Sequence, residues 1–198
     1  MSPGIVRPVD AAGLVLLRQG RGGLEVLLGR RHARAGFLPD IYVFPGGRLE
    51  PQDALGPALA LAPAVAADLA RAGRRRPGAL LRAALRETEE ETGLRLPEAA
   101  IPGIDFVCRA ITPTASHRRY HTRFFLADGA LCQGRLKGDG ELEDLGWRSL
   151  AAAGRLNLVD VTAFVLEEAV RRRGLPPGAK PAARLSYLGE TMRIFRRS

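Results

Sequence analysis

Lysine is nearly missing from this chain: of its 30 basic residues, all but Lys137 and Lys180 are arginine. Arginine offers planar contacts to phosphate, but an arginine-rich, alanine-rich composition also follows from genome base composition. The net charge of +9 therefore suits an anionic substrate without identifying nucleic acid as a partner. Cysteine is scarce as well. Cys108 and Cys132 lack CxxC spacing, so two free thiols are expected and a disulfide is not indicated. Long hydrophobic runs are absent. The longest near the N-terminus, Leu14 to Leu17 with Ala11 and Ala12 ahead of it, cannot span a bilayer and has no basic region or cleavage site beside it. These absences predict a soluble cytoplasmic protein with no membrane partner. No internal repeat stands out, and 198 residues with 46% apolar content suffice for one well-packed domain but not for two ordinary ones, so residues 1–198 are expected to form a single domain.

Acid, by contrast, is concentrated. Arg86-Glu87-Thr88-Glu89-Glu90-Glu91-Thr92-Gly93-Leu94 places four carboxylates in five positions and then stops at a glycine. The alanine, leucine, arginine and glutamate content from Ala79 to Thr92 predicts a helix that Gly93 ends in a left-handed conformation. At about 100° per residue, Glu87, Glu90 and Glu91 share one face, and Glu89 points away. Leu81, Ala84, Leu85, Thr88 and Thr92 form the stripe expected to face a core, and Ala83, one turn before Glu87, is expected to leave room beside the carboxylates. A generic acidic run is a solvated helix surface. This one lies near a helix C-terminus, where bare carboxylates oppose the macrodipole, and Arg86 at i−4 from Glu90 compensates only part of the charge. A multivalent cation would neutralise the rest.

These residues resemble the second half of the Nudix box, Arg-Glu, an apolar residue, any residue, Glu-Glu, any residue, Gly and an apolar residue. Arg86, Glu87, Glu90, Glu91, Gly93 and Leu94 fit, with Thr88 at the position that is usually aliphatic. Pro45-Gly46-Gly47-Arg48-Leu49-Glu50-Pro51-Gln52-Asp53 resembles the first half, with Asp53 where Glu is usual. Asp53 and Arg86 enclose residues 54 to 85, 32 positions where the family has seven, so 25 are additional. A box divided in this way is similar to that of a subgroup that includes peroxisomal-type coenzyme A diphosphatases. The flanks Gly36-Phe37-Leu38-Pro39-Asp40-Ile41-Tyr42-Val43-Phe44, Ile111-Thr112-Pro113 and Tyr120 to Phe125 resemble it too. The upstream coenzyme A motif of some Nudix enzymes is not evident between Met1 and Asp40.

The remaining pattern predicts a hairpin from Gly13–Arg18 and Leu24–Arg30, a strand at Ile41–Phe44, and a helix from Ala58 to Ala72 weakened by Pro63 and ended at Gly73. Arg74-Arg75-Arg76 reads as a solvated cluster suited to that helix C-terminus. Pro77-Gly78 is expected to break the pattern before Ala79. Strands at Ile104–Ile111, Tyr120–Ala127 and Glu141–Trp147 and a helix at Thr162–Arg173 follow, and Leu185–Phe195 is too short and mixed to assign. Strands interleaved with helices imply an α/β sandwich. The resemblance implies a Nudix-type α/β/α sandwich with a mixed sheet and a helical insertion at about 54–78.

The resemblance also implies chemistry: hydrolysis of a diphosphate bond in a nucleoside diphosphate linked to another moiety, giving two monophosphates. Carried over, Glu87, Glu90 and Glu91 bind Mg²⁺ or Mn²⁺, the Gly46 carbonyl is a further ligand, and Arg86 orients a glutamate. Arg30, Gly47 and Arg123 are the candidates for substrate contact. Glu141 is chosen as general base, with Glu143 and Asp144 as competitors, and a solvated turn after Gly138-Asp139-Gly140 is the plain alternative for all three. His117 and His121 read as surface or strand residues, since a hard-metal site does not need imidazole. Coenzyme A or its acyl derivatives are the favoured substrate, with ADP-ribose, NADH, dinucleoside polyphosphates and capped RNA open beside them. The rival class is a non-catalytic Nudix-like nucleotide sensor, against which the retained Glu87, Glu90 and Glu91 speak. Many relatives pair as homodimers, which leaves a dimer open here.

Overall fold

A computed structural model describes residues 6–72, 77–188 and 191–196; Gly73 and the Arg74–Arg76 cluster lie outside the described residues. The strands are β1 (Val9–Gly20), β2 (Gly23–Arg31), β3 (Tyr42–Val43), β4 (Gly46–Arg48), β5 (Leu94–Arg95), β6 (Asp105–Ile111), β7 (Tyr120–Asp128), β8 (Gln133–Gly134), β9 (Leu142–Ser149), β10 (Ala183–Leu188) and β11 (Thr191–Phe195). The helices are α1 (Pro63–Arg71), α2 (Pro77–Thr92), α3 (Leu150–Ala153) and α4 (Asp160–Arg172). A large mixed sheet runs in the order β11-β10-β6-β7-β1-β2-β3, with β9 on β2 and β4 on β1, while β5 and β8 form a separate small pair. The pairs β1/β7 and β10/β6 are parallel and the rest antiparallel.

Strand β1 shows why the sheet is covered on both faces. Its run Leu14-Val15-Leu16-Leu17 is buried throughout, and alternate residues serve opposite layers. Leu14 and Leu16 pack with Leu80, Leu81, Ala84 and Phe125 under α2, and Val15 and Leu17 pack with Phe164, Val165 and Ala169 under α4. Each fully buried leucine contributes about 1.5–3 kcal/mol of burial. The architecture is therefore the expected α/β/α sandwich. One edge of β1 is also shared. Its last residues pair with β2, while Ala11–Gly13 pair with Gly46–Arg48 of β4, which brings the Pro45-Gly46-Gly47 turn to the centre of the sheet.

Helix α2 follows the expected stripe: Leu81, Ala84, Thr88 and Thr92 are buried. Thr88 keeps its hydroxyl satisfied by donating to the Ala84 carbonyl at 2.7 Å, and Thr92 does the same to Thr88 at 2.5 Å, so the polar atom at the usual aliphatic position carries no open bond. Gly93, at φ 68°, ends the helix. Three readings need correction. Ala83 is 0% exposed and belongs to the core, so it leaves no room beside the carboxylates. Pro63 and Pro77 stand at the first positions of α1 and α2, where the missing N–H costs nothing; they start helices rather than weaken or delay them. Leu185–Phe195 lies within the β10/β11 hairpin, whose buried Ala183 and Leu185 alternate with exposed Arg184, a pattern too short to read before its pairing with β6 is known. Val65 and Leu69 of α1 join the core under α2, so this helix of the segment is built into the fold. Both cysteines are free, and among the described residues no helix is long and apolar enough to cross a membrane.

Candidate active site

Arg86 is the hub of the site. From α2 its guanidinium reaches back to the turn after β4, with Nε and Nη2 each 3.1 Å from the two oxygens of Asp53 and Nη2 also on the Arg48 carbonyl. Nη1 takes Glu87 at 3.0 Å and Glu90 at 2.9 Å. The hydrogen bonds to Asp53 and the charges around it hold the arginine cationic more firmly than usual. Asp53 is 3% exposed and also accepts the Glu50 N–H at 2.8 Å, so the shorter acid in place of glutamate still anchors the turn. Residues with 32 others between them are thus clamped together by one planar donor.

The glycine turn packs closely against the Glu87 carboxyl and against the β1 backbone. A Cβ on Gly47 would lie 2.3 Å from the Glu87 carboxyl, and one on Gly46 2.4 Å from the Ala12 carbonyl. The Gly46 N–H donates to Glu91 at 2.8 Å. Glu91 is only 5% exposed, and burial, reinforced by Glu87, Glu141 and Asp139, pushes its carboxyl up to about 8 against the pull of that N–H. Burial raises Glu87 too, with Glu90 and Glu141 adding to it and Arg86 opposing. Glu89 is exposed on the far side of the helix. One arginine therefore faces more negative charge than it can neutralise.

Glu87, Glu90, Glu91, Arg86, Gly46, Gly47 and Glu141 line a single cleft of about 460 Å³. Glu143 is tied to Arg30 at 2.8 Å and Asp144 to Tyr42 at 2.5 Å and Arg148 at 2.6 Å. Two of the expected substrate contacts lie elsewhere. Arg30 does not line the cleft, because Asp40 and Glu143 hold it. Arg123 is 2% exposed, paired with Asp10 and bonded to the His121 carbonyl, and is part of the interior rather than the cleft. Besides Arg86, the cations that line it are Arg31, Arg48 and Arg118. The clusters around residues 30 and 118 carried the signal, but strand alternation sends Arg30 and Arg31 to opposite faces, and only the sheet register distinguishes them. The cleft continues past Phe37, Tyr120, Phe124, Val159 and Val161 into an apolar pocket of about 350 Å³, which sequence reasoning did not find because its walls come from separate elements. Neither His117 nor His121 lines the cleft.

Among the described residues no group of three or more His, Cys, Asp or Glu side chains is already arranged to hold a metal ion. The open set of glutamates still fits a hard divalent ion, which keeps several waters and takes its remaining oxygens from a substrate phosphate. The burial and mutual repulsion that raise Glu87 and Glu91 are what such an ion would relieve.

The NUDIX domain family model matches residues 67–172, more than half of the chain, starting inside α1 and so downstream of the glycine turn. A NUDIX hydrolase from Alicyclobacillus acidocaldarius is 26% identical, with 83% of this chain and 92% of that one covered and a TM-score of 0.60. The NUDIX domain of Shewanella oneidensis NrtR, solved with ADP ribose, is 18% identical over 84% and 89% of the two chains at a TM-score of 0.56. A C. elegans Ap4A hydrolase is 19% identical over 82% and 96% at 0.52. The latter two show the fold alone. No curated protein matches the chain. With the divided box closed by Arg86 and Asp53 and the glutamates turned into one cleft, the chain belongs to the Nudix family, hydrolases of pyrophosphate bonds that generally use divalent metal ions.

Proposed function

We propose that the protein hydrolyses the diphosphate bond of a nucleoside diphosphate linked to another moiety, with coenzyme A or an acyl derivative as substrate and Mg²⁺ or Mn²⁺ as cofactor. The observation that carries this reading is the convergence of Glu87, Glu90, Glu91 and Glu141 on one cleft, where neighbouring carboxylates add to burial in raising Glu91. Glu87, Glu90 and Glu91 would hold the metal, with the Gly46 carbonyl as a further ligand. When bound, the ion supplies charge neutralisation at phosphorus and a water of lowered pKa. Arg86 keeps Glu87 and Glu90 in place, and the Gly46 N–H fixes Glu91. Glu141 takes the proton as water attacks phosphorus in line; the bridging oxygen leaves with the second phosphate, giving two monophosphates. Gly47 lets the substrate and Glu87 approach the same turn, and Arg31 and Arg118 supply charge for phosphate. The apolar pocket beyond Phe124 supports a substrate whose second portion is long and sparsely polar. Residues 1–198 are read as one domain with an insertion at about 54–78, acting in the cytoplasm, with a homodimer to be tested by mass in solution.

The test incubates the protein and Mg²⁺ with coenzyme A, acyl-coenzyme A, ADP-ribose, NADH, a dinucleoside polyphosphate and capped RNA. Coenzyme A compounds are expected to be cleaved fastest, to two monophosphates. Tight nucleotide binding with no cleavage of any compound would instead assign a sensor. Glu141→Gln should be strongly impaired with metal binding intact, while Glu143→Gln stays near wild type; a fully active Glu141→Gln removes the base assignment.

A further inference from the structure

On the sheet face covered by α1, arginines stand opposite one another on adjacent strands. Arg123 of β7 is in register with Arg109 of β6, Arg109 with Arg184 of β10, and Arg184 with Phe195 of β11. Like charges directly opposite in a sheet are destabilising, so a row of three needs compensation. Arg123 has it: Asp10 pairs with it, and the carbonyls of His121 and Ala72 accept from it. Among the described residues Arg109 bonds only the Ala72 carbonyl, at 2.7 Å at the C-terminal end of α1, and its buried Nε has no partner. Arg184 lies over the Phe195 ring at 5.4 Å, and among the described residues no carboxylate pairs with it. Burial, then Arg184 and Arg123, make Arg109 harder to keep charged than an ordinary arginine.

Arg109 and Arg184 line a pocket of about 370 Å³ with Arg71, Phe106 and Phe195. Asp68 is its single carboxylate among the described residues, and it is committed to the Ala182 N–H at 2.6 Å and to Arg71 at 3.7 Å. None of the residues lining this pocket lines the carboxylate cleft. The two sites differ in charge: glutamates and arginines together line the cleft, whereas among the described residues this pocket sets three arginines against one committed aspartate.

We propose that this pocket binds a phosphate group, as inorganic phosphate or as the phosphomonoester of a mononucleotide, through Arg109 and Arg184 with Arg71 at the rim. A guanidinium presents paired N–H donors that match two phosphate oxygens, and a dianion between Arg109 and Arg184 turns their repulsion into attraction. The site is separate from the proposed reaction and stands or falls independently of it.

The experiment uses the full chain in chelator, so that divalent ions do not contribute, and follows thermal unfolding and calorimetric binding with inorganic phosphate, AMP, and sodium chloride at matched ionic strength. Phosphate or AMP is expected to bind and raise the midpoint where chloride does not; inorganic phosphate binding assigns the free anion, and AMP binding alone assigns the phosphomonoester. Arg184→Gln and Arg109→Gln should each weaken binding about tenfold or more. Glu90→Gln, in the cleft, should leave it unchanged. Arg184 is exposed, so its variant folds even where Arg109→Gln does not, and ligand-free Arg184→Gln should be no less stable than wild type. A rise matched by chloride, wild-type affinity in Arg184→Gln, or loss of binding in Glu90→Gln would each overturn the proposal.

Discussion

Two regions of this molecule bury charge in opposite ways. At the end of α4, Arg172 is 1% exposed and bonded to Asp105 at 3.0 Å and to the carbonyls of Phe106, Lys180 and Pro181. The other oxygen of Asp105 accepts the N–H groups of Phe106 and Gly178. This clamp ties α4 and the 178–181 loop to β6, and its charges are matched within the fold. In the cleft, Glu91 is buried to a similar degree, but its named partner is one backbone N–H, and its neighbours are other carboxylates. Burying an unpaired charge costs several kcal/mol, which is why the Glu91 carboxyl is pushed up to about 8; a fold that keeps such a group has a use for it outside the chain. Matched buried charge marks scaffold, and unmatched buried charge marks a site.

Neutralising each region should separate the two roles, and Glu91→Gln gives the largest effect on function. Turnover should fall to background, while the metal-free variant at pH 9 should be more stable than wild type, since the amide still accepts from Gly46 and no longer carries a charge. A less stable metal-free Glu91→Gln would show that the carboxylate serves the fold. Arg172→Ala should do the reverse. It leaves Asp105 buried without its cation and should cost about 3–5 kcal/mol in urea unfolding. A loss under about 1 kcal/mol would place the clamp among ordinary surface pairs.

How much of this could be read from the sequence depends on how local each feature is. The glutamate face needs only helical spacing, so Glu87, Glu90 and Glu91 were legible from their i, i+3 and i+4 positions. The resemblance put Arg86 and Asp53 in one divided box, but their clamp was not read from the sequence, because 32 residues separate the partners and no local rule links them. Arg123 and Arg30 were misplaced because both are charged residues on strands, and which face a strand residue takes is fixed by its neighbours in the sheet. The apolar pocket and the Arg109–Arg184 row were invisible for the same reason: each is assembled by pairing of strands distant in sequence.

Arg86→Lys sharpens the comparison at the hinge between site and scaffold. An ammonium cannot hold both Asp53 oxygens, Glu87 and Glu90 at once, so activity should fall about 10–100-fold while the midpoint of unfolding moves little. An equal loss in stability would make Arg86 chiefly a scaffold residue.

The smallest effect is a test of pH at the boundary of the arginine row. His121 is largely buried, its Nε2 has no partner, and burial together with Arg123, Arg109 and Arg184 lowers its pKa to about 4, against the pull of Asp10. Between pH 6.5 and about 4 the unfolded chain binds a proton that the folded chain refuses. The stability associated with neutral His121 is therefore complete above pH 6.5 and is lost as pH falls through that window. Urea unfolding at pH 7 and pH 5 should show wild type losing about 1–2 kcal/mol more than His121→Gln. If both lose the same amount, neither burial nor the arginines hold His121 neutral, and the positive field beside the Arg109–Arg184 pocket is screened more than its geometry implies.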